Sequence, residues 1–285
     1  MLAQYLDDWA PAPVILDDPV AAAPVAALSQ VLDREATVAG EREPLPPLWH
    51  WLHFLEWPAQ RELGADGHPA HGHFLPPLPD RRRMFAGGRA EFAAPLLVGV
   101  PARRKSSLAK VEIKQGRTGE MAFVTVRHEI TQDGKVKVTE EQDLVYRVGE
   151  DERRGGFDMD LGEAELAPSD WQLTLHPTPT LLFRYSALTA NAHRIHYDEP
   201  YVRDVEGYPG LVVHGPLLVQ LMLELPRREA PGREIRTLAY RLRKPVFAGE
   251  QVCALGDVAD DGGSAVLRIA TRRDERHATA EFTFK

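Results

Sequence analysis

The stretch that decides the fold is "SALTANAHRIHYDEPYVRDVEGYPGLVVHGPLL", Ser186 to Leu218. It sets His193, His196 and His214 around an apolar run flanked by Gly210 and Gly215, with little that a surface loop would need. The apolar character continues through Leu217, Leu218, Val219, Leu221, Met222, Leu223 and Leu225, broken only by Gln220 and Glu224. A surface helix has a polar half; this one is apolar nearly all round, so it is expected to be buried on most sides. A single helix wrapped by an antiparallel sheet is the economical way to bury it.

Working outward, the segments after this helix read as strands: "QVCALG", a turn at "DDGG", "SAVLRIATR" and "HATAEFTFK". In the last, Ala278, Ala280, Phe282 and Phe284 alternate with Thr279, Glu281, Thr283 and Lys285, which predicts one buried and one wet face. A similar set stands earlier, "LAKVEIK", "MAFVTVRHEI" and "KVKVTEEQDLVYRV", with a hairpin turn at Asp133-Gly134. Each set is preceded by a proline, three mostly apolar residues and a glycine: Pro95 to Gly99, and Pro245 to Gly249, 150 positions further on. Two similar units in tandem account for the repetition. Helices are predicted at 24–35 and 48–63, a long Gly/Pro loop at 64–88, and a charged linker at 149–170.

The bulk numbers narrow the function. The chain has 285 residues, 44% of them hydrophobic, enough for a large core. A formal charge of −8 argues against a nucleic-acid protein. The single cysteine, Cys253, cannot form a disulfide within the chain or a cysteine cluster for zinc; it reads as core, and a reducing, cytoplasmic setting fits. The N-terminus lacks the features of a signal peptide, and no apolar run approaches the roughly 20 residues of a membrane helix.

The run from "FRYSALTANAHRIHYDEPY" to "GYPGLVVHGPLL" resembles the active-site segment of MaoC-type hotdog enoyl-CoA hydratases, in particular those acting on itaconyl-CoA, mesaconyl-C4-CoA and 3-methylfumaryl-CoA. "PPLWHWLHF", "RRMFAGGRAEF", "GRTGEMAFVTVRHE" and "EQDLVYR" resemble the degenerate N-terminal hotdog of the same proteins. The resemblance implies an α+β tandem (double) hotdog, two antiparallel sheets each wrapping a central helix. Residues 1–148 would be the degenerate hotdog and coenzyme A groove, 149–170 the linker, and 171–285 the catalytic hotdog. It implies a hydro-lyase of the enoyl-CoA hydratase type that adds water to a short branched C5-dicarboxylyl-CoA, itaconyl-CoA as the first choice or mesaconyl-C4-CoA, to give citramalyl-CoA. The acyl-CoA thioester would be the partner and no separate cofactor would be needed. A homo-oligomer is expected, a dimer of double hotdogs.

Such a hydration must polarise the thioester carbonyl, deprotonate a water and protonate C2. Gly215, at a helix start with Pro216 behind it, is the candidate backbone donor to the developing enolate, or else a packing glycine. His196 is the candidate general base and acid. The commoner (R)-specific enoyl-CoA hydratases carry an Asp where this chain has Asn191, which cannot act as a base; it would hold the water or the imidazole. His193 is a substrate contact or a local cap, and His214 reads as a structural histidine more readily than a catalytic one. Asp198 orients His196 or, more safely, caps a turn. Arg194 and Arg184 are candidates for the distal carboxylate, for a coenzyme A phosphate, or for plain surface, with Arg82 and Arg83 next in line. "HPAHGH", with His68, His71 and His73 near Asp66, has spacing that places two imidazoles together, but it reads better as a solvated or lid loop than as a metal site, so no metal is expected. The rivals are a dehydratase of longer 3-hydroxyacyl thioesters, a non-catalytic acyl-CoA-binding hotdog and, on fold grounds alone, a thioesterase.

Overall fold

A computed structural model describes residues 2–72, 74–79, 81–116, 119–148, 156–164, 166 and 168–285. His73 and most of the predicted linker's first half lie outside them. In chain order the elements are helix α1 (Ala3–Leu6), strand β1 (Val14–Asp18), α2 (Ala22–Val31), β2 (Arg81–Phe92), β3 (Ala102–Gly116), β4 (Gly119–Gln132) and β5 (Lys135–Val148). There follow β6 (Trp171–Leu175), α3 (Pro179–Leu188), α4 (Glu199–Asp204), α5 (Gly215–Glu229), β7 (Ile235–Leu242), β8 (Val252–Val258), β9 (Ser264–Thr271) and β10 (Asp274–Phe284). Short 3₁₀ turns cover Trp49–Leu52, Gln60–Glu62 and Arg194–His196.

The expected pair of sheets is one sheet. Among the described residues ten strands run β1-β3-β4-β5-β2-β7-β10-β9-β8-β6, each paired antiparallel with its neighbours. The two five-stranded halves have the same internal order and meet where β2 pairs with β7, Gly87 opposite Arg241 through Glu91 opposite Thr237. Gly87 and Gly88, assigned to a loop by composition, lie in this seam. A Cβ on Gly87 would sit 2.3 Å from the Tyr240 carbonyl oxygen, and one on Gly88 would sit 2.5 Å from that of Glu141. Glycine here permits close backbone approach inside a sheet instead of breaking the strand.

The repeated Pro–Gly segments make like turns, with Gly99 at φ +76° and Gly249 at φ +92°. The Asp133-Gly134 turn has both residues at positive φ, as a two-residue hairpin between Gln132 and Lys135 requires. β10 buries Ala278, Ala280, Phe282 and Phe284, following its alternation.

The central helix α5 packs on β6, β8, β9 and β10, and its residues from Leu217 to Pro226 are all buried. Its two polar interruptions are buried and partnered. Gln220 accepts the Tyr185 hydroxyl at 2.8 Å and donates to the Leu48 carbonyl at 3.2 Å. Glu224 pairs with Arg34 at 2.8 Å and Arg227 at 2.7 Å. Leu48 and Arg34 belong to the first half, so the helix ties the halves together, and one core cluster contains Val25 and Leu28 of α2 with Leu217, Leu221 and Leu225 of α5.

Among the described residues, the first half has no equally wrapped helix. Its α2 is ten residues long and packs chiefly on α3 and the Trp49–Leu52 turn. The helix predicted at 48–63 is replaced by two 3₁₀ turns. Leu48 and Phe54 take positive φ at either end of the first turn, and Pro58 removes a helix donor before the second. The polar atoms of the first turn go to a buried carboxylate on β5: His50 Nε2 lies 2.7 Å from Glu140, and Trp51 Nε1 donates to it at 3.0 Å. Between the halves, the described part of 156–170 has no helix or strand and ties to the second half, where Asp160 N donates to Glu250 at 3.2 Å and Ala164 N to Gln251 at 2.8 Å. Cys253 is buried in β8.

Candidate active site

The site is built where α3 ends. Thr178 caps α3 by accepting from Leu181 N, and after Leu188 the chain turns through Ala190 at positive φ. Asn191 Oδ1 then accepts the backbone N–H of His193 at 3.0 Å, which fixes the approach to the Arg194–His196 turn. Val212 N donates to the Ile195 carbonyl at 2.9 Å, and His196 Nδ1 lies 2.7 Å from the Val212 carbonyl. These bonds join the histidine turn to the extended segment that leads into α5.

The Val212 carbonyl can only accept, so His196 Nδ1 carries the hydrogen and Nε2 keeps its lone pair. Burial lowers the His196 pKa to about 4 against the opposing pull of that carbonyl. His196 is therefore a neutral imidazole at neutral pH, able to take a proton. Its ring stacks on His214 at 3.7 Å and 17°. His214 is fully buried, bonds Ser186 Oγ through Nε2 at 2.8 Å, and is held well below the ordinary histidine pKa by burial and by its neighbours. Its Nδ1 is buried without a partner among the described residues.

Gly215 is the first residue of α5, half-buried, with its backbone N–H among those a helix leaves without an internal acceptor. A Cβ there would lie 2.3 Å from Leu242 Cδ1. Glycine thus serves packing at this position, and its amide stands at a helix start.

His193 faces two ways. Its ring lies edge-on to His196, 5.5 Å away, and packs on His68 at 4.0 Å and 37°. Burial, then the nearby imidazoles, push its pKa down. His68 in turn holds Asp66 through Nδ1 at 3.0 Å. The result is a column of imidazoles, His68, His193, His196 and His214, with a carboxylate at one end. Asp66, His68 and His193 also present metal-ligand atoms within 4.8 Å of one another. His71 is exposed and is not part of this group.

Asp66 and His68 lie in the Gly/Pro loop that composition predicts. That loop is fastened to the histidine motif. Arg194 N donates to the Asp66 carbonyl at 2.9 Å, and Arg194 Nη1 to the Ala65 carbonyl at 2.9 Å. Gly67, at φ +88°, lies so close that a Cβ would meet the Ala192 carbonyl oxygen at 1.9 Å. The loop residues stand more than a hundred positions from their partners, and "GADGHP" carries no local pattern that forecasts the contact.

Of the candidate cations, Arg194 has its guanidinium on Asp198 at 2.8 Å and over the Tyr201 ring at 4.0 Å. Asp198 also caps α4 by accepting from Tyr201 N at 3.2 Å, so its bonds go to the cap and to Arg194. Arg184 is exposed on α3. Arg83, half-buried on β2, is close enough to the column for its charge to add to burial in lowering the pKa of both His68 and His193.

This geometry coincides with a family assignment. Residues 48–248 match the model of hydroxyacyl-thioester dehydratase type 2, and the chain belongs to that family, with a hotdog-type, MaoC-like fold. It is 43% identical to mesaconyl-C(4)-CoA hydratase of Chloroflexus aurantiacus over 241 residues, 81% of each chain. It is 27% identical to the mitochondrial hydroxyacyl-thioester dehydratase type 2 of Schizosaccharomyces pombe, over 92% of this chain and 95% of that one. Among solved structures, a MaoC-like dehydratase from Phytophthora capsici superposes with a TM-score of 0.69 at 12% identity, covering 99% of this chain and 98% of the other. HtdX of Mycobacterium tuberculosis gives 0.67 at 17%, covering 96% and 100%. No helix among the described residues is long and apolar enough to cross a membrane.

Proposed function

We propose that the protein is a hydro-lyase that adds water to a short dicarboxylyl-CoA, mesaconyl-C4-CoA first, to give citramalyl-CoA. The observation that carries this reading is the fixed tautomer of His196, whose Nε2 is a neutral acceptor beside the amide-presenting start of α5. In the reaction His196 Nε2 takes a proton from water as the oxygen bonds to C3. The π electrons move onto the thioester oxygen, where the Gly215 N–H stabilises them. His196 then returns the proton to C2, so no net proton is gained and no further cofactor is required. The 43% identity to a mesaconyl-C(4)-CoA hydratase supports the choice of substrate. Itaconyl-CoA, whose double bond is not conjugated to the thioester, would need a prior proton shift through the same enolate.

The distal carboxylate of such a substrate requires a cation. Arg194 is engaged with Asp198, which favours Arg83 for this role. The two halves are read as two fused hotdog units, the second catalytic, in a cytoplasmic homo-oligomer, a dimer. A second reading, dehydration of longer 3-hydroxyacyl thioesters, is favoured by the family description and uses the same groups in reverse. A hydration assay with mesaconyl-C4-CoA, itaconyl-CoA, crotonyl-CoA and a long-chain enoyl-CoA separates them. Turnover of mesaconyl-C4-CoA well above the others is expected; preference for the long chain selects the second reading, and thioester binding without turnover of any substrate leaves a binding protein.

A further inference from the structure

We propose that Asp66 and His68 complete the catalytic site from the first half of the chain: His68 Nε2 holds the attacking water opposite His196, and Asp66 fixes the tautomer that makes it an acceptor. This rests on the hydratase reading above. A water that surrenders one proton to His196 must have its other O–H directed, and a second acceptor does that. Asn191, at the position where related enzymes carry a carboxylate, is neutral and already engaged, which makes it the weaker acceptor. Its Oδ1 already accepts the His193 N–H, and its NH₂ only donates.

The Asp66–His68 pair has the required properties. The Asp66 carboxylate also accepts the His68 backbone N–H at 3.0 Å and stays ionised, its pKa kept low against burial by its bonds to His68. A carboxylate on Nδ1 places the hydrogen there and leaves Nε2 as the acceptor, the relation by which a carboxylate orients a catalytic imidazole. The ring is placed by its tilted contact with His193, 4.0 Å between centroids, and His193 abuts His196. The backbone is placed by Gly67 against Ala192 and by both bonds from Arg194. During the reaction the proton moves between water, His196 and C2, and His68 keeps its own protonation. Asp66, His68 and His193 could instead hold a cation. The bond that commits His68 Nδ1 to Asp66 and the close, tilted contact of the two rings favour the metal-free arrangement.

The test uses the full-length protein and whichever thioester the wild type turns over best. For His68→Ala we expect kcat to fall about 100-fold with KM within about threefold. His68→Gln, which keeps an acceptor, should recover part of the loss, and imidazole added to the alanine variant should recover part as well. Asp66→Asn should lower kcat about tenfold or more. Thermal midpoints of all three should stay close to wild type, because a mere structural role would move these and would not respond to imidazole. Near-normal kcat in His68→Ala, or a loss confined to KM, overturns the proposal. So does wild-type activity that disappears on chelation and returns with zinc. A wild type that prefers a long-chain thioester refutes only the substrate reading and leaves the His68 variants decisive on that substrate; a wild type that turns over none refutes both.

Discussion

The two halves of the sheet repeat one strand order and carry different side chains. In the second half the chain ahead of the helix carries His193, His196 and His214, and the helix is long and wrapped. In the first half the helix is shorter, and the place where chemistry could stand holds a sealed polar cluster: Glu140 with His50, Trp51, Gln142 and, at 3.4 Å, the Tyr240 hydroxyl from across the seam. That carboxylate is buried and engaged by all four groups, which suits a structural role. On the proposed reading, one strand order serves as scaffold in one half and reaction centre in the other, and what the first half lends to chemistry comes from its edge, the loop at 64–69 and the start of β2.

The comparison breaks most completely if the second half works alone. A fragment of residues 160–285 should be insoluble or inactive. It exposes the β7 edge that β2 covers, and strips Leu48 and Arg34 from the polar residues of α5. Sedimentation and a hydration assay check this; a soluble, fully active fragment would reduce the first half to an accessory.

Within the second half, His196→Ala should lower kcat on the order of 100- to 10,000-fold while thioester binding persists. The pH dependence has a definite sign. His196 is held at about 4, so the base is deprotonated and active through neutrality, and kcat/KM should fall as pH drops toward about 4. A profile that instead falls near 6.5 would mean that another group carries the proton.

The first half should answer to stability. Glu140 is held down to about 2 against burial by its bond and charge relation to His50, below its ordinary 4.5. A depressed carboxylate contributes stability above its unfolded pKa, and that contribution is lost as pH falls from about 4.5 toward about 2. Glu140→Ala, which leaves the His50 and Trp51 donors buried and unpaired, should cost about 3 kcal/mol. Urea unfolding at pH 7 and across the acid range measures both, with little change in the pH profile of catalysis.

These contrasts follow what was legible in the sequence. The β10 alternation, the Asp133-Gly134 hairpin and the apolar α5 are local patterns, and local patterns survive folding. The Gly87-Gly88 pair was misassigned because a glycine required for close approach looks the same in sequence as one required for a turn. The aromatic run from Trp49 mimicked a helix because its side chains are buried, although by a buried carboxylate and a 3₁₀ turn. The motif pointed to His196, His193 and His214. Nothing local could join Asp66 and His68 to them, since that contact depends on how the first half lies over the second.

The smallest expected effect sharpens the comparison where the halves share a substrate. Arg194, nearest the motif in sequence, is bound to Asp198, stacked over Tyr201 and bonded to Ala65. Arg83 comes from β2 of the first half and its charge reaches His68 and His193. If the first half reads the distal carboxylate, Arg83→Met should reduce kcat/KM for mesaconyl-C4-CoA by about 2 kcal/mol, the scale of a charged hydrogen bond. Methionine keeps length and apolar bulk while removing the charge, so crotonyl-CoA, which has no carboxylate, should react unchanged or faster. Arg194→Met should weaken both substrates alike, because it loosens the loop and the turn together. Equal losses from Arg83→Met on the two substrates would move that arginine to the coenzyme A phosphates or the scaffold. A differential loss at Arg194 would return substrate choice to the second half and make the division between the copies one of stability alone.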